Sequence, residues 1–389
     1  MKKIRLWLVC MWLAVFNVLH AQQDSLQISL LTCSPGTEIY SLFGHTALRV
    51  QNFSRNLDVV FNYGMFSFNT PHFIYRFIKG ETDYQLGVIP YVYFEAEYAE
   101  RGSSVYQQVL NLSAEEKQTL LHLLTENYLP ENRTYRYNYF YDNCTTRARD
   151  QIERCIKGTV VYPNSFPNRS FRSIVHEFTV GAAWDELGID LCLGAEADTP
   201  IDKRQQMFSP FYMKEYASDA YIIGDNGQRR PLVLKEEKVV DVAPAETHSS
   251  FLSPLWCATF LLAISVLIGW WQWRRNKICW IWELLLFGAQ GIAGCIIAFL
   301  FFFSVHPTVG SNWLLILFNP IPLLYLPFMV YFSVTRRKDW YHVVNMVYLT
   351  LFIVIFPFCL QEFNLTVLPL ALSLLVTSAS HVLVLSKKQ

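Results

Sequence analysis

Cys144 is the residue whose type and setting most clearly indicate chemistry. The segment 145–157 has helical character and Gly158 is a typical helix end, so Cys144 is predicted to begin a helix. A thiol at a helix N-terminus lies beside unsatisfied N–H groups and the positive end of the helix dipole, and both lower its pKa. We therefore predict that Cys144 can act as a thiolate nucleophile.

A nucleophilic cysteine also needs a base within hydrogen-bond distance and a third group that orients the base. The β-rich segments on either side of the polar stretch 51–56 predict a hairpin, which places His45 opposite Asn62 and its neighbours. His45 is then the candidate base. Asn62 is the candidate orienting group, and the hydroxyl of Tyr63 is its rival.

The polar residues that adjoin Cys144 have two possible roles. The hydroxyl and N–H groups of Thr145 and Thr146, together with Asn143, would either cap the helix or form an oxyanion site. The cysteine and the histidine also have an ordinary explanation, because a single cysteine is usually a buried core residue and a lone histidine a satisfied side chain. Spacing alone leaves these alternatives open.

The elements around these residues predict an α+β domain with a small antiparallel sheet. Strands are expected at 27–32 and at 135–141, where aromatic residues alternate with other types. A helix follows Ser113 with the spacing of a capping box, and a further hairpin is expected to turn at 225–227. We expect the helix that begins at Cys144 to pack its apolar face on this sheet.

The last third of the chain contains five hydrophobic stretches, each close to the ~20 residues that cross a bilayer. They lie at 251–273, 281–303, 313–332, 343–360 and 365–385. Basic residues follow the first, third and fifth stretches, and the two other connections have no Lys or Arg. Because positive residues remain on the cytoplasmic side, we expect the preceding domain outside the cytoplasm and the C-terminus inside.

The N-terminus is first basic and then apolar, which predicts a signal peptide over residues 1–21 rather than an uncleaved anchor. We accordingly expect an exported domain at 22–235 and a polar linker at 236–250. An all-α bundle of five transmembrane helices should then occupy residues 251–389.

Composition excludes some classes of function. The formal net charge is zero and no stripe of Lys and Arg is interleaved with aromatic residues, so we expect no nucleic-acid partner. The nine cysteines have no spacing typical of zinc ligands, and we expect neither a metal nor a cofactor. One disulfide is possible among the cysteines of the exported domain, which are Cys33, Cys144, Cys155 and Cys192.

Two segments resemble a known family. LLTCSPGTEIYSLFGHTALRV at 30–50 and YNYFYDNCTTRARD at 137–150 are similar to the periplasmic domain of the Lnb-type lipoprotein N-acyltransferases. The similarity continues through the five spans, including the outer connection that holds His306 and Asn312. The order of His before Cys also resembles the permuted papain-like enzymes, in which the cysteine begins a helix and the histidine lies on a sheet.

The resemblance implies thiol-dependent acyl transfer at a bacterial inner membrane. Cys144 would take an acyl chain from a phospholipid as a thioester, and the α-amine of a lipoprotein's diacylglyceryl cysteine would then receive it. His45 would be the base in both steps, with Asn62 orienting its ring. The resemblance also implies that His306 and Asn312 hold a phosphate or position the acyl ester, although each fits a solvated or capping role as well.

Two other functions fit the same residues. A papain-like peptidase or amidase that acts on peptidoglycan would use Cys144 and His45 in the same roles. Alternatively, the domain is a non-enzymatic scaffold or receptor of the envelope, in which Cys144 is buried and inert. The products formed distinguish the two enzymes, and retention of function without the thiol would identify the scaffold.

Overall fold

The computed structural model describes residues 26–243 and 252–387. The chain divides into two compact units. The first comprises the described residues of Met1–Arg76, Glu81–Arg169 and Ile201–Glu246, and the second those of Phe77–Gly80, Ser170–Pro200 and Thr247–Gln389. The predicted signal peptide at 1–21, and residues 244–250 of the predicted linker, lie outside the described residues.

Seven strands of the first unit form one antiparallel sheet. They are β1 (Leu26–Cys33), β2 (His45–Asn52), β3 (Leu57–Met65), β4 (Asp83–Pro90), β5 (Val105–Leu110), β6 (Thr134–Arg136) and β12 (Val233–Val240). Their order across the sheet is β12-β5-β1-β2-β3-β4-β6. A smaller sheet has the order β11-β10-β7, from β7 (Thr159–Val161), β10 (Tyr221–Ile223) and β11 (Arg229–Pro231). The short strands β8 (Arg169–Ser170) and β9 (Pro200–Ile201) complete the set.

Eight helices lie between or after these strands, before the hydrophobic stretches begin. They are α1 (Phe73–Lys79), α2 (Tyr91–Glu100), α3 (Ala114–Tyr128), α4 (Cys144–Cys155), α5 (Phe171–Phe178), α6 (Ala183–Cys192), α7 (Lys203–Gln206) and α8 (Pro210–Asp219). Single 3₁₀ turns occur at Phe53–Arg55 and Ala195–Asp198.

Helices cover both faces of the large sheet. Because side chains alternate along a strand, Ala47 and Val60 point to one face, where they pack with Phe94 and Tyr98 of α2. Helices α3 and α4 pack on the other face, and their buried apolar residues include Leu120, Leu124, Ala148 and Ile152. The predicted α+β class is therefore confirmed, as is the capping box at the start of α3.

The predicted aromatic strand at 135–141 is wrong beyond its first residues. The strand β6 ends at Arg136, and residues 138–142 form a turn in which Asn138 and Asp142 exchange backbone hydrogen bonds. The Asn138 side chain also accepts the N–H groups of Phe140 and Tyr141. This local side-chain acceptor replaces the ladder partner that a strand would need.

The predicted linker is wrong for residues 236–240, which lie in β12. This strand pairs with β5 at the edge of the sheet. Its central residues are charged, as is common where an edge strand must resist pairing with other chains, and that charge hid the strand pattern. The possible disulfide does not form, since all eight cysteines among the described residues are free.

The second unit contains the five predicted spans. They are α9 (Pro254–Arg275), α10 (Trp280–Phe303), α11 (Leu314–Leu317) with α12 (Ile321–Thr335), α13 (Trp340–Ile355) with a 3₁₀ turn at Phe356–Phe358, and α14 (Val367–Ser386). All five are long and apolar enough to cross a membrane. The five-helix prediction is therefore confirmed, within about two residues at most ends.

Two polar residues inside the spans join neighbouring helices, as expected for polar groups in an apolar bundle. Gln290 of α10 donates to the carbonyl of Leu317 at 2.7 Å. Asn345 of α13 donates to the hydroxyl of Ser378 in α14 at 2.7 Å. A side chain at Gly294 would meet the Asn319 backbone at 2.3 Å, so this glycine permits close packing.

The segment Ser170–Pro200, which the sequence placed inside the exported domain, belongs to the second unit. Arg172 is fully buried there and binds Asp190 at 2.7 Å and Asp198 at 2.6 Å. Asp190 also accepts the side chain of Asn364, which lies in the connection before α14. A buried ion-pair cluster therefore fixes this segment to the connection between the fourth and fifth spans.

Replacing Arg172 by Met should destabilise the second unit by about 3–5 kcal/mol, because two buried carboxylates lose their partner. Arg204 is the matched control, since its ion pairs with Asp150 and Glu153 lie near the surface. Arg204→Met should cost about 1 kcal/mol or less. Thermal unfolding in detergent measures both variants, and equal melting temperatures would contradict the assignment.

Candidate active site

Asn143 holds Cys144 at the first position of α4. Its side-chain oxygen accepts the N–H groups of Thr145 and Thr146, each at 2.9 Å, and the Asn143 N–H in turn donates to the hydroxyl oxygen of Thr146. The Asn143 amide nitrogen donates to the carbonyls of Tyr139 and Phe208. Of the two roles predicted for Asn143, the geometry therefore favours capping, because all its amide groups are used.

His45 begins β2, directly after a backbone turn at Gly44. Gly44 has φ +76°, and a Cβ there would lie 2.5 Å from the carbonyl oxygen of Cys33, so only glycine fits. The imidazole lies nearly parallel to the Tyr98 ring, with 6.4 Å between centroids. Its Nε2 lies 2.5 Å from the side-chain oxygen of Asn62. The predicted hairpin therefore does bring His45 and Asn62 together.

The contact with Asn62 determines how the His45 ring is used. The oxygen of an amide can only accept a hydrogen bond, so Nε2 of His45 is protonated and donates to Asn62. Nδ1 then remains for the Cys144 thiol, whose pKa the charge of the neighbouring imidazole lowers. The thiol, the ring and the amide thus form a continuous series of the kind used by activated cysteine nucleophiles.

The thiol and the imidazole shift each other's pKa. Burial alone would raise the pKa of Cys144, but the charge of His45 and hydrogen bonds from His45, the Thr46 N–H and Thr145 outweigh it and lower the pKa. Burial would lower the pKa of His45, whereas the thiolate and the bond to Asn62 raise it above its usual value. Both shifts favour the thiolate–imidazolium form of the pair over the neutral form.

Thr145 supports the site through its side chain. Its hydroxyl lies 2.9 Å from that of Thr46 and 3.8 Å from the Cys144 sulfur. Its N–H is already bound by Asn143 and does not face an oxyanion. The N–H of Cys144 itself has no acceptor among the described residues, so it is the backbone donor left for a developing negative charge.

Tyr63 follows Asn62 directly and so points to the opposite face of the sheet. Its hydroxyl donates to the side-chain oxygen of Asn127 in α3 at 2.7 Å. Burial raises the pKa of Tyr63 to about 12. Of the two rivals for the orienting role, the geometry therefore favours Asn62.

An aromatic strip, which we define as Tyr137, Tyr84, Phe66, Phe68 and Tyr40, begins at a tyrosine within the electrostatic influence of Cys144 and leads to the surface of the first unit. Burial raises the pKa of Tyr137, and the nearby Cys144 charge raises it further. Successive ring centroids lie 4.1 to 6.4 Å apart. Phe68 is 66% exposed and Tyr40 54% exposed, so the strip ends in solvent. The sequence showed these aromatic residues but not their contact.

Three neighbours of the pair were missed by the sequence reasoning. Tyr98 stacks on the imidazole, the negative charge of Glu97 helps to raise the His45 pKa, and the N–H of Thr46 helps to lower the Cys144 pKa. Tyr98 and Glu97 lie on α2, which packs on the His45 face of the sheet. Only the apolar spacing of α2 was a signal, and it indicates packing rather than contact with a histidine.

His306 and Asn312 lie in the second unit. The His306 ring is bonded through Nε2 to the carbonyl of Phe77 at 2.6 Å. The Asn312 side chain is buried, donates to the Leu191 carbonyl and accepts from the N–H of Leu314 and the amide of Gln361. These bonds favour a capping role for Asn312, because its oxygen accepts two hydrogen bonds and its buried nitrogen already donates to Leu191.

Fold and site together define a class, namely a chain with five membrane-spanning helices and an α+β domain that carries a Cys-His-Asn series. A family model described as the Lnb N-terminal periplasmic domain matches residues 19–176, and one described as the Lnb transmembrane domain matches residues 246–389. The chain belongs to the Lnb family, as the resemblance predicted.

Family membership makes this a membrane protein with a periplasmic domain. At the level of the family it is a membrane-bound lipoprotein-processing enzyme. No match to the chain was found among curated proteins or among solved structures.

Alkylation by iodoacetamide tests the lowered pKa of Cys144. A thiol with a lowered pKa loses its thiolate only as the pH falls through that lower value, so wild-type Cys144 should react faster than an ordinary thiol at pH 7. In His45→Ala the imidazole no longer opposes the effect of burial, the Cys144 pKa rises, and labelling at that pH should fall more than about tenfold. Peptide mass spectrometry measures each cysteine separately.

Cys155 is the internal control for this labelling, because burial raises its pKa to about 12. It should remain unlabelled in the wild type and in the variant. Identical pH profiles for Cys144 in the two proteins would show that His45 does not activate the thiol.

The same labelling separates Asn62 from Tyr63. Asn62→Ala removes a hydrogen bond that raises the His45 pKa, so the imidazolium becomes less stable. Labelling of the Cys144 thiolate at pH 7 should then fall about fivefold, which corresponds to a hydrogen bond worth ~1 kcal/mol. Tyr63→Phe removes only the bond to Asn127 and should leave the profile unchanged. A loss with Tyr63→Phe and none with Asn62→Ala would reverse the two assignments.

Proposed function

We propose that this protein transfers an acyl chain from a membrane phospholipid, through a thioester on Cys144, to the N-terminal amine of a diacylglyceryl-cysteine lipoprotein. The observation that carries the proposal is the Cys144–His45–Asn62 series beside an exposed aromatic strip. Phospholipid is the acyl donor and lipoprotein the acceptor, and no cofactor takes part.

In the first half-reaction the Cys144 thiolate attacks the carbonyl carbon of an acyl ester. The carbonyl oxygen becomes negative and faces the N–H of Cys144 at the N-terminus of α4, where the helix dipole also favours negative charge. The carbon–oxygen bond to the glycerol then breaks. The imidazolium of His45 gives its proton to the departing alkoxide, so that a lysophospholipid leaves and the thioester remains.

In the second half-reaction the neutral α-amine of the lipoprotein attacks the thioester carbonyl. His45, now neutral, accepts the proton of the amine as the new carbon–nitrogen bond forms. The carbon–sulfur bond breaks and the thiolate of Cys144 is restored. Asn62 holds Nε2 throughout, so the same ring nitrogen serves both steps.

The aromatic strip supports a lipid substrate over a peptidoglycan substrate. Apolar rings lead from the thiol to solvent, and such a surface gains free energy by burying an acyl chain, at about 25 cal/mol per Å² of apolar area. The sugars and charged peptides of peptidoglycan would gain little from it. The half-buried, charge-paired setting of Cys144 likewise argues against an inert scaffold cysteine.

The membrane helices support the same substrates. Both lipids are anchored in one leaflet, so an enzyme tethered to that membrane meets them at high effective concentration. The basic connections at Arg274–Lys277 and Arg336–Lys338 support an orientation with the first unit in the periplasm and the C-terminus in the cytoplasm of the inner membrane. His306 remains a candidate for headgroup contact through Nδ1, since only Nε2 is bonded to Phe77.

Intact-mass spectrometry of a model diacylated lipoprotein, incubated with the purified protein in phospholipid liposomes, tests the proposal. Wild-type protein should add the mass of one acyl chain and release lysophospholipid. Cys144→Ala and His45→Ala should each lower the rate at least about 10³-fold, because nucleophile and base act as a unit. Cys359→Ser, which removes a thiol from the second unit, should keep the wild-type rate.

Two outcomes would reject the proposal. Folded wild-type protein that adds no acyl mass but cleaves muropeptides is a peptidase or amidase. Acyl transfer that persists in Cys144→Ala shows that no thioester on this residue is required.

A further inference from the structure

The end of the helix bundle that bears the basic connections contains a cluster of four buried ionisable side chains. Glu283 lies in the first turn of α10, Asp339 caps α13, His342 lies in its first turn, and His381 lies in α14. Each is 2% exposed or less. Burying charge in an apolar bundle is costly, so such a cluster is expected only where the charges are compensated.

The two carboxylates lack the usual compensation. No Lys or Arg among the described residues pairs with Glu283 or Asp339, whose ion-pair partners are the two histidines. Neutral imidazoles provide hydrogen bonds but no positive charge. One divalent cation would balance both carboxylates at once.

Each of the two imidazoles is hydrogen bonded through one ring nitrogen, and the other nitrogen has no hydrogen bond among the described residues. Nδ1 of His381 lies 2.8 Å from Glu283 Oε1, and Nδ1 of His342 lies 3.2 Å from the Ser378 hydroxyl. If each ring carries its proton on Nδ1, each Nε2 presents a lone pair. Neither Nε2 has a hydrogen-bond partner among the described residues, although both are buried.

Asp339 has the same one-sided arrangement. Its Oδ1 accepts the hydroxyl of Tyr325 and the N–H of Tyr341, both at 2.9 Å. Its Oδ2 is buried without a hydrogen-bond partner and lies 4.0 Å from Nε2 of His342. Three unpartnered buried acceptors in one cluster would cost about 1–3 kcal/mol each if nothing bound them.

The separations suit one ion. Ligand atoms ~2.1 Å from a tetrahedral zinc ion lie ~3.4 Å apart, so the 4.0 Å between Asp339 Oδ2 and His342 Nε2 needs a shift of only ~0.6 Å to hold the ion. Ligand atoms of Glu283, His342 and His381 all lie within 4.8 Å of one another. The rings of the two histidines are stacked with centroids 3.9 Å apart, so the two imidazoles lie next to each other.

We propose that His342, His381 and Asp339 bind a divalent transition-metal ion, for which zinc is the best fit, with Glu283 orienting His381. Two imidazoles and a carboxylate are a common ligand set for zinc. A carboxylate that binds the second nitrogen of a ligating histidine is the usual way to fix its orientation, and the Glu283–His381 pair has this form. Ser333 in turn donates to Glu283 at 2.6 Å.

The ion would join α13 and α14 directly and α10 through Glu283, and so act as a structural clamp. This departs from the prediction of no metal, which rested on the spacing of cysteines and histidines in the sequence. Asp339 and His342 are three residues apart, but His381 is distant in sequence, so no compact motif marks the site. The proposal is independent of the acyl-transfer chemistry.

Elemental analysis of full-length protein, purified in detergent through a tag without histidine and without chelators, tests the proposal. The wild type should contain about one equivalent of zinc per chain. His342→Gln, His381→Gln and Asp339→Asn should each reduce it at least about fivefold. His122→Gln, which removes an exposed histidine of α3, should leave the content unchanged.

A second measurement does not depend on the folding of the variants. Wild-type protein stripped with phenanthroline should melt at a lower temperature, recover on addition of zinc, and show the strong visible absorption of four-coordinate cobalt when Co²⁺ replaces zinc. Folded wild-type protein that holds less than about 0.1 equivalent and shows no cobalt bands would overturn the proposal. Metal retained equally by all three ligand variants would also overturn it, since the ion would then lie elsewhere.

Discussion

The pairing of Cys144 with His45 is the interaction on which the arrangement of the candidate site depends. Moving two charges partly out of water costs free energy, and their attraction offsets that cost only when further hydrogen bonds satisfy each charge. The Asn143 cap fixes the sulfur at the start of α4, and the register of β2 and β3 brings Asn62 to the ring. A slip of one residue in that register would turn Asn62 to the opposite face and leave the ring unsupported.

The hairpin and the helix that form the candidate site can be predicted from local sequence, whereas contacts between distant residues cannot. The polar turn at 51–56 determines the β2–β3 register, and the helical segment after Cys144 determines the setting of the thiol, so both could be predicted. The aromatic segment after Arg136 and the charged strand β12 were mispredicted because a side-chain acceptor and an edge position override the apparent pattern. Contacts over long separations, such as Arg172 with Asp190 and Asp198, leave no periodic signal.

The polar residues of the second unit illustrate two ways of placing polarity in an apolar bundle. Gln290 and Asn345 bridge neighbouring helices through their amide nitrogens, and an amide carries no charge into the bundle. The ionisable cluster around His342 and His381 is different, because carboxylates and imidazoles can be charged and are therefore more costly to bury. Ionisable side chains inside a membrane bundle more often bind a ligand than only link helices.

The hydrogen bond between His45 and Asn62 has a kinetic consequence. With Nε2 held by an amide oxygen, the ring offers a single nitrogen to the thiol and can carry one mobile proton at a time. In the proposed reaction the departing alcohol must take that proton before an incoming amine can release its own. The first product therefore leaves before the second substrate reacts. The phospholipid donor and the lipoprotein acceptor therefore use the same ring nitrogen in turn. A large excess of either substrate would compete with the other for that position.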